Sequence, residues 1–149
     1  MKSSLGTLLD SGESGRFLIE DPIDPARIRL EALARGYQFV DLDCTSASDK
    51  QSFLQIARRA FSLPADFGDN WDALADCLMD LSWSGGLRWV VLARALERLW
   101  ARDPDSFQTA VDILDETAQF WAEQEQPFIV LLAEDCGPEA LKLPPVAGP

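Results

Sequence analysis

The sequence contains no histidine. This absence excludes Ser-His-Asp and Cys-His catalysis, histidine general-base chemistry and histidine metal sites. The acid–base groups and hard-metal ligands that remain are carboxylates. An enzymatic function would therefore have to rest on aspartate and glutamate side chains.

Cysteine is scarce as well. Cys44, Cys77 and Cys136 are too few and too widely spaced for a disulfide framework or a CxxC metal site. An odd number of cysteines is typical of a reducing compartment. The sequence also lacks a run of about 20 apolar residues and the apolar segment of a secretion signal. We therefore expect a cytoplasmic protein that does not enter a membrane.

Positive charge is the third deficit. The chain has 13 lysines and arginines against 25 aspartates and glutamates, a net charge of −12. Nucleic acids and anionic membranes bind positive surface, so neither is expected as a direct partner. A negative protein instead attracts a basic partner through long-range electrostatics. The 149 residues, 47% of them hydrophobic, suffice for one domain with an ordinary core.

Helical and strand patterns alternate along most of the chain. Short runs of aromatic and aliphatic residues predict strands at 17–19, 37–42, 87–93 and 128–132. Apolar residues at helical spacing predict helices at 24–36, 49–61, 70–81, 94–101 and 107–124. Strands separated by helices predict an α/β fold with a parallel sheet.

The two ends of the chain have a different composition. Residues 1–16 are rich in serine and glycine and are expected to be a mobile N-terminal tail. Residues 134–149 contain several prolines and are expected to be an irregular C-terminal tail. A single domain would then occupy residues 17–133, with a core at 37–132 and an N-terminal addition at 17–36.

The helix predicted at 70–81 carries an acidic stripe. Asp69 or Asn70 can cap its start, and its apolar residues gather on one side. On the other side Asp72, Asp76 and Asp80 fall at i, i+4 and i+8. Like charges four residues apart destabilise a helix by about 0.2–0.5 kcal/mol per pair. A stripe whose repulsion is not offset by nearby positive charge indicates a functional surface. The alternative interpretation is a solvated helix face in an acidic protein.

The same segment contains a run of residue types at fixed spacing, formed by Pro64, Phe67, Gly68, Asp69, Asn70, Trp71, Asp72, Ala73, Leu74, Asp76, Cys77 and Leu78. This run resembles the signature of the barstar family, the intracellular protein inhibitors of barnase-type ribonucleases. The resemblance covers residues 37–132.

The resemblance implies a barstar-like three-stranded parallel sheet flanked by helices, which residues 17–36 would extend by a strand and a helix. It also implies that the acidic helix and the preceding loop plug a ribonuclease active site, where carboxylates replace substrate phosphates. Asp76 would then be the principal phosphate mimic and Asp72 a second anchor. The other residues expected to bind the partner are Gly68, Asp69, Asn70, Trp71 and Asp80.

The sequence also departs from the family pattern. Asp66 and Ala75 stand where barstar has aromatic residues, and Asp80 and Leu81 replace a small residue and an aromatic one. The second acidic contact of barstar has no clean match, because Glu123 is near its place but at a different spacing. The cognate enzyme therefore need not be barnase itself.

Three interpretations remain open. In the first, the chain is a ribonuclease inhibitor. In the second, it is an immunity or binding module on the same fold, for another basic protein or toxin nuclease. In the third, it is a metal-dependent enzyme that uses the carboxylates of Asp69, Asp72, Asp76 and Asp80. Because these aspartates lie along a helix and do not converge in a cleft, we expect neither enzymatic activity nor a cofactor. Repulsion between acidic faces should keep the protein monomeric.

Overall fold

The structure, a computed structural model, describes residues 3–64, 67–80 and 88–149. The strands in this part of the chain are β1 (Ser3–Ser4), β2 (Gly15–Ile19), β3 (Gln38–Asp43), β4 (Trp89–Arg94), β5 (Phe128–Leu132) and β6 (Pro145–Ala147). They form one sheet in the order β1-β6-β2-β5-β4-β3, and every neighbouring pair is parallel.

Helices cover both faces of this sheet. They are α1 (Leu5–Ser11), α2 (Pro25–Ala34), α3 (Lys50–Ala60), α4 (Trp71–Asp80), α5 (Glu97–Arg102), α6 (Pro104–Glu123) and a 3-10 turn (Ala140–Lys142). Side chains of α1 and α2 join the apolar cluster on one face, and those of α3, α4, α5 and α6 join the cluster on the other. No helix among the described residues is long and apolar enough to cross a membrane.

β4 and β5 lie at the centre of the core. In β4, Trp89, Val91 and Ala93 face the layer of α3, α4 and α6, whereas Val90 and Leu92 face α1 and α2. Burial on both faces explains the nearly continuous apolar runs of these strands, which is typical of parallel sheets. The predicted α/β fold with a parallel sheet flanked by helices is confirmed.

Side-chain caps determine where the helices begin. Asp24 caps α2, whose first residue is Pro25. At the start of α3, Asp49 accepts a hydrogen bond from the backbone N–H of Ser52 at 2.9 Å, and Ser52 Oγ accepts one from the N–H of Asp49 at 3.1 Å. Hydrogen bonds from Ser52 also lower the pKa of Asp49. This reciprocal exchange fixes the first turn of the helix on which α4 rests.

The structure contradicts the expectation of a mobile tail at the N-terminus. Ser4 caps α1, and Gly12 ends it in the left-handed conformation at φ 68°. Leu5, Leu8 and Leu9 are buried against the sheet. Three leucines on one side of a seven-residue helix give too short a pattern to stand out among serine and glycine. The N-terminal addition therefore begins before residue 17 and contributes β1 and α1.

The expected irregular C-terminal tail is also wrong over its last residues. β6 lies inside the sheet between β1 and β2, and Val146 is only 1% exposed. The N–H of Glu20 donates to Val146 O at 3.1 Å, and the N–H of Leu18 donates to Pro144 O at 2.9 Å. Prolines at the start of a short strand are compatible with a sheet, although they weaken its sequence signal. Within the residues that the structure describes, the sheet has six strands.

Replacement of Leu9 by alanine tests whether α1 belongs to the folded core. Leu9 is 1% exposed, and its carbonyl accepts a 2.6 Å hydrogen bond from Tyr37 Oη. We expect Leu9→Ala to lower the free energy of unfolding by about 2–5 kcal/mol, measured by chemical denaturation. The control Leu141→Ala removes a leucine that is 58% exposed and should change it by less than about 0.5 kcal/mol. If Leu9→Ala lowered the free energy of unfolding as little as the control does, α1 would not be part of the folded core, and the expectation of a mobile N-terminal tail would stand.

Candidate partner-binding site

Asn70 fixes the start of α4. Its Oδ1 accepts a 2.7 Å hydrogen bond from the N–H of Ala73, while its Nδ2 donates to Gly68 O at 3.2 Å. Its backbone carbonyl accepts the first helical bond, from Leu74. Of the two predicted caps, Asn70 is the one that the structure uses. One side chain therefore joins the helix to the loop before it.

The apolar side of α4 packs against two neighbouring helices. Leu74 and Leu78 are buried in the core, and the ring of Trp71 lies 5.7 Å from that of Phe53 on α3. At the other end, Trp121 Nε1 on α6 donates a 2.9 Å hydrogen bond to Leu78 O. This bond ties the part of α4 near Leu78 to α6. Within the described residues, α4 is thus capped at its start by Asn70 and fastened to α6 two turns later.

The opposite side of α4 is acidic and exposed. Asp72, Asp76 and Asp80 are solvent-exposed and form no ion pair with any residue in the described ranges. They lie on successive turns, about 5.4 Å apart along the axis. Among the described residues no three carboxylate, cysteine or histidine side chains could hold one metal ion. Asp69, Asp72, Asp76 and Asp80, which are all described, therefore do not form such a group.

Asp69, which the family resemblance places among the partner-binding residues, is oriented differently from these three aspartates. Its backbone is left-handed at φ 51°, a conformation that aspartate tolerates better than most residues. Its Oδ1 lies 3.9 Å from Arg58 Nη1 on α3, too far for a hydrogen bond, and is buried without a hydrogen-bond partner. The Asp69 carboxylate thus turns towards α3.

A shallow depression of about 500 Å³ runs beside the acidic face. Its lining residues are Lys50, Asn70, Trp71, Asp72, Ala73 and Asp76. Lys50 is the first residue of α3, so the packing of α3 against α4 brings a cation to the site. Lys50 is not predicted to lie at this site, because its separation from the aspartates along the chain gives no signal of contact.

The part of the chain that carries this site matches a known protein family. The family model described as "Barstar (barnase inhibitor)" matches residues 37–133, about two-thirds of the chain. The chain belongs to the barstar family. The match begins just before β3 and ends just after β5, and the acidic α4 lies within it. β3, β4 and β5 are adjacent in the sheet, so the barstar-family strands form one continuous half of it.

A solved structure extends the likeness in fold beyond the barstar match. The Aeropyrum pernix ORC2 protein, in ADPNP-ADP complexes, is similar to 87% of this chain with a TM-score of 0.58 at 12% identity. The chain spans 39% of that protein's length. At this identity the likeness concerns the fold alone. A comparison of the sequence with curated proteins finds no match.

Of the remaining residues compared with the barstar pattern, some are exposed and others lie outside the described residues. Gly68 is exposed, and a Cβ there would lie 3.3 Å from Asn70 Nδ2, so glycine lets the loop close on its cap. Glu123 is exposed at the last position of α6. Asp66 and Leu81 lie outside the described residues.

The cysteines lie away from the acidic face. Cys44 and Cys136 are buried beyond the carboxyl ends of β3 and β5, where burial raises the pKa of both thiols, that of Cys136 to about 12. Cys77 on α4 is half-buried among core residues. Buried thiols with raised pKa values contain little thiolate at neutral pH and are poor nucleophiles.

Substitution of Asn70 separates its two hydrogen-bonding roles. Asn70→Ala removes the cap of α4 and should lower the free energy of unfolding by about 0.5–2 kcal/mol. Asn70→Asp keeps an oxygen for the N–H of Ala73 but loses the bond to Gly68 O. It should therefore recover most of the stability in chemical denaturation while leaving the loop less ordered, which amide hydrogen exchange at Gly68 can detect. Equal destabilisation by both substitutions would contradict the capping role.

Proposed function

We propose that this chain inhibits a ribonuclease by inserting α4 and the preceding loop into the basic active site of the enzyme. The observation that carries the proposal is the state of Asp72 and Asp76, which are exposed and have no ion pair among the described residues. Both lie on a helix that Asn70 caps at its start and that Trp121 binds through the carbonyl of Leu78. Membership in a family of barnase inhibitors supports the same proposal.

Carboxylates in this arrangement suit a site built to bind phosphates. Each offers two acceptor oxygens to the forked donors of an arginine, in charge-assisted hydrogen bonds. Because the helix is already fixed, binding does not have to order a flexible segment, which lowers its entropic cost. Asp76 is the principal phosphate mimic, Asp72 a second anchor one turn away, and Asp80 extends the stripe by a further turn.

The loop before α4 has a different role in this proposal. Both polar groups of the Asn70 side chain bond within the protein, so this residue shapes the surface more than it contacts the enzyme. Gly68 permits the same turn. Asp69 and Arg58 hold the loop towards α3, while Trp71 presents the part of its ring that Phe53 leaves open along the depression.

Charge over the whole molecule should accelerate the encounter. The net charge of −12 attracts a basic enzyme before contact, and such steering weakens as salt screens it. Inhibition needs no chemistry from this chain, in agreement with a family of inhibitors. We therefore propose no enzymatic activity and no cofactor.

The decisive experiment is inhibition of a barnase-type ribonuclease by the wild-type chain and by Asp76→Ala. We expect strong inhibition by the wild type and a loss of about 2 kcal/mol or more for the variant, about 30-fold in Kd. This magnitude is a family expectation, because the barnase–barstar pair is itself the standard example of such an aspartate hot spot. Folding stability should change by less than about 0.5 kcal/mol, since Asp76 is exposed.

A matched variant controls for net charge. Glu13→Ala removes one exposed carboxylate outside the site, between α1 and β2, and should leave inhibition unchanged. A folded wild type that fails to inhibit would contradict the barnase-type target. Under that result the same face becomes a binding site for another basic protein, with related toxin nucleases tested first.

Lys50 tests the same electrostatic steering through removal of a positive charge, which should accelerate association with a basic enzyme. It lines the depression with Asp72 and Asp76 and reduces the negative potential there. A unit charge about 10 Å away in water changes the energy of an approaching cation by about 0.4 kcal/mol. Lys50→Ala should therefore accelerate association about twofold in stopped-flow measurements at low salt, and the gain should disappear at high salt.

The control for this effect is Lys142→Ala, which removes an exposed lysine from the turn before β6. It should accelerate association less than Lys50→Ala. Slower association after loss of Lys50 would show that this lysine contacts the enzyme favourably, which would overturn the predicted sign.

A further inference from the structure

α2 is apolar on two sides. Ile28 and Ala32 are fully buried in the cluster beneath it. On the outer side, Leu30 is 67% exposed and Leu33 47% exposed. Elsewhere in the described ranges, the exposed large apolar side chains are Trp100 at 40% and Leu141 at 58%, which lie on separate elements. An exposed pair of leucines on one helix is therefore unusual within this molecule.

The outer residues of α2 follow the spacing of a helix–helix seam. Ala26, Leu30 and Leu33 are separated by four and then three residues, the spacing with which one helix packs along another. A depression of about 330 Å³ opens beside Leu30, and its other lining residues are Arg27, Glu31, Ala34, Arg35 and Pro149. The surface thus combines an apolar ridge with an open, partly charged depression.

Arginines flank this ridge. Arg27 and Arg29 are exposed on its two sides and form no ion pair with any residue that the structure describes. By contrast, Arg35 is neutralised by Asp10 at 2.9 Å and by Glu31 at 2.6 Å, so the carboxylate of Glu31 is also paired. At the start of the helix, Asp24 is engaged in capping. Two arginines that have no ion pair within the described ranges therefore border an apolar seam in a chain of net charge −12.

The charge of the flanks identifies the occupant. Acidic residues at the flanking positions of a partner helix would pair with Arg27 and Arg29, as charges beside a helix–helix seam do. A second copy of α2 would instead bring arginines against arginines. An anionic membrane would gain two cations and two leucines while facing a strongly negative protein. From this arrangement of arginines beside exposed leucines we infer that the outer face of α2 binds an acidic amphipathic helix of another protein.

This surface is separate from the acidic face of α4. The two helices pack on opposite faces of the sheet, because α2 joins one apolar cluster and α4 the other. Binding at α2 therefore leaves α4 free, and the molecule can hold a basic partner on one side and an acidic one on the other.

The test uses synthetic helical peptides and the full chain. The probe has leucines at the seam positions and glutamates at the flanking positions, and its control has lysines in place of the glutamates. Binding is measured by fluorescence anisotropy at low and physiological salt. We expect saturable binding of the glutamate peptide, weakened by salt, and at least about tenfold weaker binding of the lysine peptide.

Variants of the chain assign the binding to α2. Two double variants should each weaken binding of the glutamate peptide by at least about tenfold. One is Leu30→Ser with Leu33→Ser, and the other is Arg27→Glu with Arg29→Glu. The arginine reversal should also improve binding of the lysine peptide. Matched controls are Leu141→Ser and the pair Arg98→Glu with Arg102→Glu, all at exposed positions elsewhere, and these should change little.

Several results would overturn the inference. These are the absence of saturable binding, equal binding of both peptides, or equal weakening by the control variants. A dimer in sedimentation that the leucine substitutions dissociate would identify a second copy as the occupant. Binding to phosphatidylserine vesicles without binding to the peptide would identify a membrane. The α2 variants should retain any inhibition of a ribonuclease, so failure at this surface is distinguishable from failure at α4.

Discussion

The anchoring of α4 by its neighbours is the constraint on which the acidic face depends. Two like-charge pairs, Asp72 with Asp76 and Asp76 with Asp80, destabilise the helix by up to about 1 kcal/mol together. Burial of Leu74 and Leu78 contributes about 1.5–3 kcal/mol each, so packing prevails over repulsion. A ten-residue helix is also too short to persist alone in water. The repulsion therefore remains as an unfavourable term that a cationic partner can relieve.

The sheet supplies the support for this anchoring. α3 and α6, which hold α4, rest on strands whose residues are buried on both faces, and such a parallel sheet must be covered on each side. The added elements provide that second cover through α1 and α2. They also pair β2 with β5, whose edge would otherwise be open. Elements far from α4 thus complete the sheet on which its supporting helices pack.

Local sequence patterns predict much of this architecture. Apolar runs predict β4 and β5, and an asparagine at the expected position predicts the cap of α4; the structure contains all three. α1 and β6 were missed because seven residues and three residues give too little pattern. The approach of Lys50 and Arg58 to the acidic helix depends on how α3 packs against α4, which no spacing in the sequence reveals.

The separation of charge between α2 and α4 follows from the same layered construction. A parallel sheet covered on both faces keeps the side chains of its two outer layers too far apart for ion pairs, so an arginine-bordered surface can exist in a molecule whose net charge is strongly negative. If the arginines lay beside α4, they would pair with its aspartates and weaken both surfaces at once. Because the two helices belong to different layers, each keeps its charge available to a partner. The added residues therefore complete the fold and also provide a second surface of opposite sign.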